Sequence, residues 1–202
     1  MSVLRLLLIL PLGVAGCTGS APDPVVRPPS TALLTVSDLP AGFAEAPALP
    51  VTALTSEPPG CAPAMNRLEL QPMTAPGVHE SRVNFADAAG FARIQEILLR
   101  YDDDGAAGRF VDETRGMLAS CRSYLLSDGT GPQLQVTVTP AATGVGAAIE
   151  ARGPGYSVHE NLVVARSGPT VILLMHSGPE PVDAALTERL VTTAQHRATA
   201  PN

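Results

Sequence analysis

The second half of the chain is a succession of strand-like segments with no helical stretch between them, and this constrains the fold most. Four such segments occur, at residues 133–140, 146–152, 155–166 and 170–176. In the first of them Leu134, Val136 and Val138 alternate with polar residues, as in a strand with one buried face. The last two flank Ser167-Gly168, which suits a tight hairpin turn. Successive strands without intervening helices favour an antiparallel sheet.

Earlier in the chain, the sequence predicts more strands and an amphipathic helix. Residues 81–86 alternate, and residues 93–101 favour a strand, although their apolar pattern is also compatible with a helix. The triplet Asp102-Asp103-Asp104 precedes a stripe of residues spaced by three and four, which predicts a helix that begins at the triplet. The stripe consists of Phe110, Val111, Thr114, Met117, Leu118, Cys121, Tyr124 and Leu125.

A second helix is predicted at about residues 182–196, where Leu186, Leu190 and Ala194 share one face. Helices that do not alternate regularly with the strands indicate the α+β class. We therefore expect an α+β domain with a mainly antiparallel sheet and two principal helices packed on one of its faces.

The chain begins with an apolar run, LLLILPLGVAGCTGS at residues 6–20, that ends at a cysteine. The run is far shorter than the ~20 apolar residues of a membrane-spanning helix, and its small residues at the end indicate an export signal. The sequence VAGC at residues 14–17 resembles the lipobox of exported bacterial lipoproteins. The resemblance implies a signal peptide at residues 1–16, cleavage between Gly16 and Cys17, and a diacylglyceryl group on the Cys17 thiol. The alternative is an ordinary signal peptide that has a cysteine nearby.

The next residues predict a tether and then one folded domain. Residues 17–32 are rich in proline and small residues and have no apolar periodicity, which is typical of an extended linker. We expect a single domain at residues 33–198. After the segment that ends at Phe43, the chain is again rich in proline through Cys61 to Pro76, so we expect irregular chain there. A loop of this length inside a domain needs an anchor.

Two cysteines remain once Cys17 is assigned to lipid. Cys61 and Cys121 form an even number in an exported chain, and oxidising surroundings favour a disulfide between them. The bond would tie the proline-rich segment to the apolar stripe of the predicted helix. Two free buried thiols are an alternative, whereas a redox pair is disfavoured because the sequence has no C-x-x-C motif.

The charge of the chain argues against some partners. The formal net charge is −6 and the basic residues are not clustered, which argues against binding to nucleic acid. Aromatic residues make up only 3% of the chain, so recognition by aromatic stacking is not expected. The predicted partner is the membrane, through the lipid anchor, and no cofactor is expected.

Motifs for catalysis or metal binding are incomplete. The histidines are His79, His159, His176 and His196. They lack metal-ligand spacing, and the aspartate triplet lacks the alternating ligands of a calcium loop, so we expect the triplet to cap its helix. Ser157 lacks the second glycine of a nucleophile elbow and lies in a predicted strand. Residues 144–146 lack the third glycine of a dinucleotide-binding motif.

The lipobox, the tether, the segment LLTVSDLPAGF at residues 33–43 and the two remaining cysteines together resemble the small exported lipoproteins of actinobacteria. The folded part is similar to the extracellular sensor domain of some actinobacterial receptor serine/threonine kinases. This similarity also rests on ILLRYDDDGAAGRFVDETRGMLASC at residues 97–121 and on the final helix. It implies a mixed α/β domain, held by a disulfide, that binds ligands through a cleft on the sheet. Many sensor domains have a second cysteine pair and a tryptophan near the helix cysteine; this chain has neither, so no binding residue is carried over.

We therefore expect a lipid-anchored, non-catalytic domain on the outer face of the cytoplasmic membrane that binds a small or lipid-like ligand or an envelope protein. One alternative is a lipid carrier, which needs an open apolar cavity on the sheet. A lipid carrier would have apolar sheet residues in an open pocket, whereas in the other case helices would cover them. The residues concerned are Leu162, Val164, Ile172 and Leu174. The other alternative is an envelope hydrolase, which needs a nucleophile within hydrogen-bond reach of His159 or His176 in a cleft.

The lipobox interpretation predicts that Cys17→Ala releases the protein from membranes, because the thiol that receives the lipid is lost. Fractionation of cells that express the wild-type and variant chains measures this. Retention of the variant in the membrane fraction would contradict the interpretation.

Overall fold

The computed structural model describes residues 32–50, 53–69, 72–142 and 144–199. The predictions for the signal peptide, for Gly16 and Cys17 and for nearly all of the tether therefore lie outside the described residues. The strands are β1 Phe43–Glu45, β2 Thr55–Glu57, β3 Val78–Asp87, β4 Arg93–Tyr101, β5 Ser123–Ser127, β6 Leu134–Pro140, β7 Val145–Gly153, β8 Tyr156–Ser167 and β9 Thr170–Gly178. The α-helices are α1 Cys61–Glu69, α2 Asp104–Ser120 and α3 Ala184–Thr199, and a short 3-10 helix spans Val36–Asp38.

All nine described strands form one sheet in the order β1-β3-β4-β9-β8-β7-β6-β5-β2, and each pair of neighbours is antiparallel. The predicted hairpin is present, with Ser167 paired to Thr170 across the turn between β8 and β9. The predicted alternation of β6 is also confirmed, since Val136 and Val138 are buried while Gln135 is exposed. The expected α+β class and mainly antiparallel sheet are therefore confirmed.

The sheet has a helix-covered core on each face. The α1/α2 face carries residues such as Leu99 and Leu173, which pack in one core cluster with α1 and α2. The α3 face carries residues such as Leu98 and Leu174, which pack in a second cluster with Leu190 of α3. The expectation that both principal helices lie on one face is therefore wrong.

The composition of the central strands explains this difference. Residues 97–99 of β4 and residues 171–174 of β9 are apolar at every position and fully buried. Because successive side chains in a strand point to opposite faces, both faces of these strands need a cover. A single layer of helices would have left half of these side chains in water.

The first principal helix begins as predicted but ends earlier. Asp103 caps α2, with its side chain accepting a hydrogen bond from the backbone N–H of Ala106 at 2.7 Å. The helix ends at Ser120, and Tyr124 and Leu125, which were expected on the helix stripe, lie in β5 instead. Over so few residues an apolar run fits both periodicities, and pairing with β6 decides in favour of the strand.

Helix α1 occupies part of the segment that was expected to be irregular. Its only proline, Pro63, lies in the first turn, where a missing N–H is tolerated. Ala62, Met65 and Leu68 are buried against the α1/α2 face. Their spacing of three residues is typical of a helix, but the proline-rich composition of the segment favoured irregular chain.

The N-terminal residues of the described chain pack on the α3 face. Leu33 and Leu34 are buried in its core, and the backbone N–H of Leu34 donates to Glu96 Oε2 at 2.6 Å. Arg197 near the end of α3 pairs with Asp38 at 2.9 Å. These contacts fix the first described residues of the chain against the α3 face.

The disulfide between Cys61 and Cys121 is present, with the two Cα atoms 5.5 Å apart. It joins the first residue of α1 to the residue that follows α2. Because both sulfurs lie in the core of the α1/α2 face, the bond fixes the start of α1 against the end of the longer helix. The structure thus confirms the predicted pair.

We predict that Cys121→Ala lowers the free energy of unfolding by about 4 kcal/mol, the value expected when a disulfide that closes a long loop is lost. The two cysteines are 60 residues apart in sequence. Chemical denaturation measures the loss, with Cys61→Ala as the matched variant and the double variant expected to lose no more than either. An unchanged melting temperature on reduction of the wild type would contradict this prediction.

Candidate functional site

A cavity of about 230 Å³ lies on the α1/α2 face between α1 and strands β5 to β8. Its lining residues are Leu54, Ala62, Met65, Asn66, Glu69, Tyr124, Leu126, Leu134, Val136, Ile149, Ala151, Val158 and Glu160. Most of them are apolar, and Val158 is 40% exposed, so the cavity reaches the surface. Concave, mainly apolar sites with a few polar groups are typical of small-molecule binding, although this volume is below the usual range of ~300–1,000 Å³.

The cavity results from the way the sequence fills this face. Strands β6 and β7 direct alternate residues to the cavity, among them Val136 paired with Ala151. Ala151 and, on α1, Ala62 are small where larger side chains would occupy the space between helix and sheet. The closely packed core begins further along the same strands, where Val138 and Ala147 are buried in one cluster with α2.

Two carboxyl groups lie at one end of the cavity. Glu69 is the last residue of α1 and Glu160 lies in β8, so different elements bring them together. Both residues also line an adjoining cavity of about 50 Å³ that is bounded by β3, β4 and β9. Glu160 Oε1 is inaccessible to solvent and has no hydrogen-bond partner among the described residues, although the residue as a whole is partly exposed.

Burial makes the two carboxyl groups unusually weak acids. Desolvation raises the pKa of Glu160 from the ordinary value of 4.5 to about 7. Desolvation and, in addition, the charge of Glu160 raise the pKa of Glu69 well above its ordinary value. Tyr124, which lines the same cavity, has its pKa raised by burial and by these two glutamates. Burial therefore favours the protonated, neutral form of the two carboxyl groups.

Two arginines near this end of the cavity make other contacts. Arg93 lines the adjoining cavity, but its Nη2 donates to the carbonyl oxygen of Pro47 at 2.8 Å. Arg82 pairs with Glu80 at 3.0 Å and donates to the main-chain oxygen of Glu69 at 2.9 Å. None of the described residues that line the 230 Å³ cavity is Lys, Arg or His.

The residues considered for hydrolysis lie on the α3 face instead. Ser157 Oγ is 3.3 Å from His159 Nε2, and Glu150 is paired with His159 across the strands. The Glu150 side chain, however, accepts a hydrogen bond from Arg152 Nε at 2.7 Å. Glu150, the acidic group that would orient His159 in a catalytic triad, is thus bonded to an arginine instead. Ser157 lies in a strand, as predicted.

His176, the other candidate base, is buried at the interface of β9 and α3. Its Nδ1 is 3.0 Å from Thr187 Oγ1, and burial lowers its pKa. The histidine therefore favours its neutral form and bonds to a threonine that also donates to the carbonyl oxygen of Asp183. This is the arrangement of a structural histidine. Among the described residues, no group of three or more His, Cys, Asp or Glu side chains could hold a metal ion.

The apolar sheet residues that a lipid carrier would expose in an open pocket are covered by helices in this structure. Leu162 and Val164 are buried in the core cluster of the α1/α2 face, and Ile172 and Leu174 are buried beneath α3. The observed cavity lies beside the first pair and is formed by other residues. Within the described residues, no helix is long and apolar enough to cross a membrane.

No protein-family model matches the chain, and no curated protein matches it significantly. Among solved structures, the extracellular domain of PknH from Mycobacterium tuberculosis matches with a TM-score of 0.64 and 13% identity, over 84% of this chain and 93% of that chain. An uncharacterised protein from Mycobacterium smegmatis matches with a TM-score of 0.43 and 15% identity, over 81% of this chain and 93% of that one. The first match shows that the chain shares the fold of that extracellular domain, in agreement with the resemblance seen in the sequence. The second is too distant to support an argument.

We predict that Glu160→Gln raises the melting temperature by a few degrees at about pH 8, because it removes a buried charge without changing the shape of the side chain. The folded-state pKa of Glu160 is raised, so the folded wild type binds more protons than the unfolded chain between pH 4.5 and about 7. Its stability should fall as the pH rises through that window, and the variant should show a shallower fall.

Thermal denaturation over a pH series measures both effects. Glu188→Gln, an exposed change of the same kind on α3, is the control and should behave as the wild type. A Glu160→Gln protein with the pH dependence of the wild type would show that the carboxyl group is not destabilised in the folded state.

Proposed function

We propose that the chain is a lipid-anchored, non-catalytic domain that binds a small ligand at the cell envelope, in the manner of a sensor domain. The observation that carries this proposal is the cavity beneath α1, with its apolar walls and two buried carboxyl groups at one end. The fold shared with the extracellular domain of PknH supports a location outside the cytoplasm. A ligand would enter from the side on which Val158 is exposed.

The proposed anchor is Cys17, lipidated after cleavage behind Gly16, with residues 17–32 as the tether to the domain at residues 33–198. The lipobox and the proline-rich composition support this arrangement. Leu33 and Leu34 belong to the core of the α3 face, so the tether would join the domain on the side opposite the cavity. An anchor placed there leaves the cavity accessible when the domain lies near a membrane.

The size of the cavity favours a small ligand over a lipid with two or three acyl chains. A volume of about 230 Å³ accommodates less than a typical drug-sized molecule. The lipid-carrier alternative would need the space beside Leu162 and Val164, and that space is filled by α2. We therefore favour a receptor or sensor role over lipid transport.

Native mass spectrometry of the protein, purified gently from a bacterium that lipidates it, tests the proposed function. We expect a non-covalent adduct of defined mass on the wild-type protein, and the same spectrum reports acylation at Cys17. In Val158→Phe the adduct should be lost at least in large part, because the aromatic ring would occupy part of the cavity.

Val36→Phe is the matched control, since Val36 is 44% exposed, close to the 40% of Val158, but lies on the N-terminal 3-10 helix away from the cavity. The control should retain the adduct. An adduct that survives equally in both variants would place ligand binding elsewhere, and a protein that is always empty would contradict the proposal.

A further inference from the structure

We infer that the cavity beneath α1 binds an amphipathic organic cation, whose ammonium group lies between Glu69 and Glu160 and whose apolar part lies along the sheet. This inference rests on the proposed function and deepens it by assigning a chemical class to the ligand. The juxtaposition of two acidic side chains with an otherwise apolar cavity carries it.

The first step is the charge at the end of the cavity that holds Glu69 and Glu160. Two carboxyl groups from separate elements share this end, and the described lining residues supply no basic side chain to pair with them. A buried charge is costly unless it is paired and hydrogen-bonded. A bound ammonium group would supply the missing charge from the ligand.

The second step is the hydrogen bonding of Glu160. Its Oε1 is solvent-inaccessible and has no partner among the described residues, although a buried acceptor of this kind is ordinarily satisfied. An ammonium group has three donors and no acceptor, so it can bond to both carboxylates at once. Charge-assisted hydrogen bonds of this type are stronger than neutral ones.

The third step is the apolar remainder of the cavity. From the carboxyl end, the wall continues along residues such as Val136, Ile149 and Leu134, and part of it is formed by Met65 of α1. This surface has little to offer a hydrated metal ion, which requires several oxygen ligands. A short alkyl chain attached to the ammonium group would match it.

Anionic ligands fit the same geometry poorly. A carboxylate or phosphate at this end would face two acidic side chains, and the nearest guanidinium groups already bond to Glu80 and to the carbonyl of Pro47. A neutral ligand would gain no ion pair from the two carboxyl groups. The preference for a cation therefore follows from the site as a whole.

Isothermal titration calorimetry of the full chain with hexylammonium, 1-hexanol and hexanoate tests the inference, because the three probes share one chain length and differ in charge. We expect hexylammonium to bind on the order of tenfold more tightly than 1-hexanol, and hexanoate to bind more weakly than either. Glu160→Gln and Glu69→Gln should each remove most of the preference for hexylammonium over 1-hexanol. Glu188→Gln, exposed on α3, should retain the preference.

The outcomes separate this inference from the proposed function. Equal binding of hexylammonium and 1-hexanol would overturn the cation preference while the cavity remained a binding site. Binding of none of the three probes would count against the proposed cavity itself, and the inference would fail with it. Tighter binding of calcium chloride than of hexylammonium, lost in Glu160→Gln, would overturn the inference in favour of a metal site.

Discussion

The covalent bond between Cys61 and Cys121 is the constraint on which the α1/α2 face of this domain depends. Helix α1 is short, its buried residues pack on one face of the sheet, and its first residue is bonded to the residue that follows α2. A helix of this length has little stability of its own in water. Without the bond, the wall that α1 forms over the cavity would depend on the packing of a few side chains such as Met65 and Leu68.

The two faces of the sheet use buried carboxyl groups differently. On the α3 face, Glu96 is fully buried, and its Oε2 accepts a hydrogen bond from the backbone N–H of Leu34, which helps to hold the N-terminal segment in place. Its Oε1 has no partner among the described residues. On the α1/α2 face, Glu160 Oε1 lies beside an open cavity with no partner among the described residues. Desolvation raises the pKa of both groups to about 7. One oxygen of Glu96 therefore has a structural partner within the chain, whereas Glu160 lines a cavity.

Much of the fold could be predicted from the sequence because local signals and tertiary structure agree. The alternation in β6, the turn at Ser167, the Asp103 cap and the cysteine pair all have short-range or compositional signatures. Which face each helix covers depends on long-range packing. In the sequence, only the continuous apolar runs of β4 and β9 indicated that both faces of the sheet are covered. The candidate site was not predicted, because Pro63 obscured α1 and because Glu69 and Glu160 are 91 positions apart. The one available sign was that Glu160 falls on the same alternating row as Leu162 and Val164, where a charged residue is unexpected.

Hydrogen exchange along α1 tests most directly whether the disulfide holds the wall of the cavity. The measurement compares the oxidised protein with the Cys61→Ala/Cys121→Ala double variant under conditions in which both remain folded. We predict that the amides of α1 lose protection in the double variant, while those of β8 and β9 at the centre of the sheet stay protected. Equal protection of α1 in the two proteins would show that packing alone holds the helix, and would contradict the central role assigned to the bond.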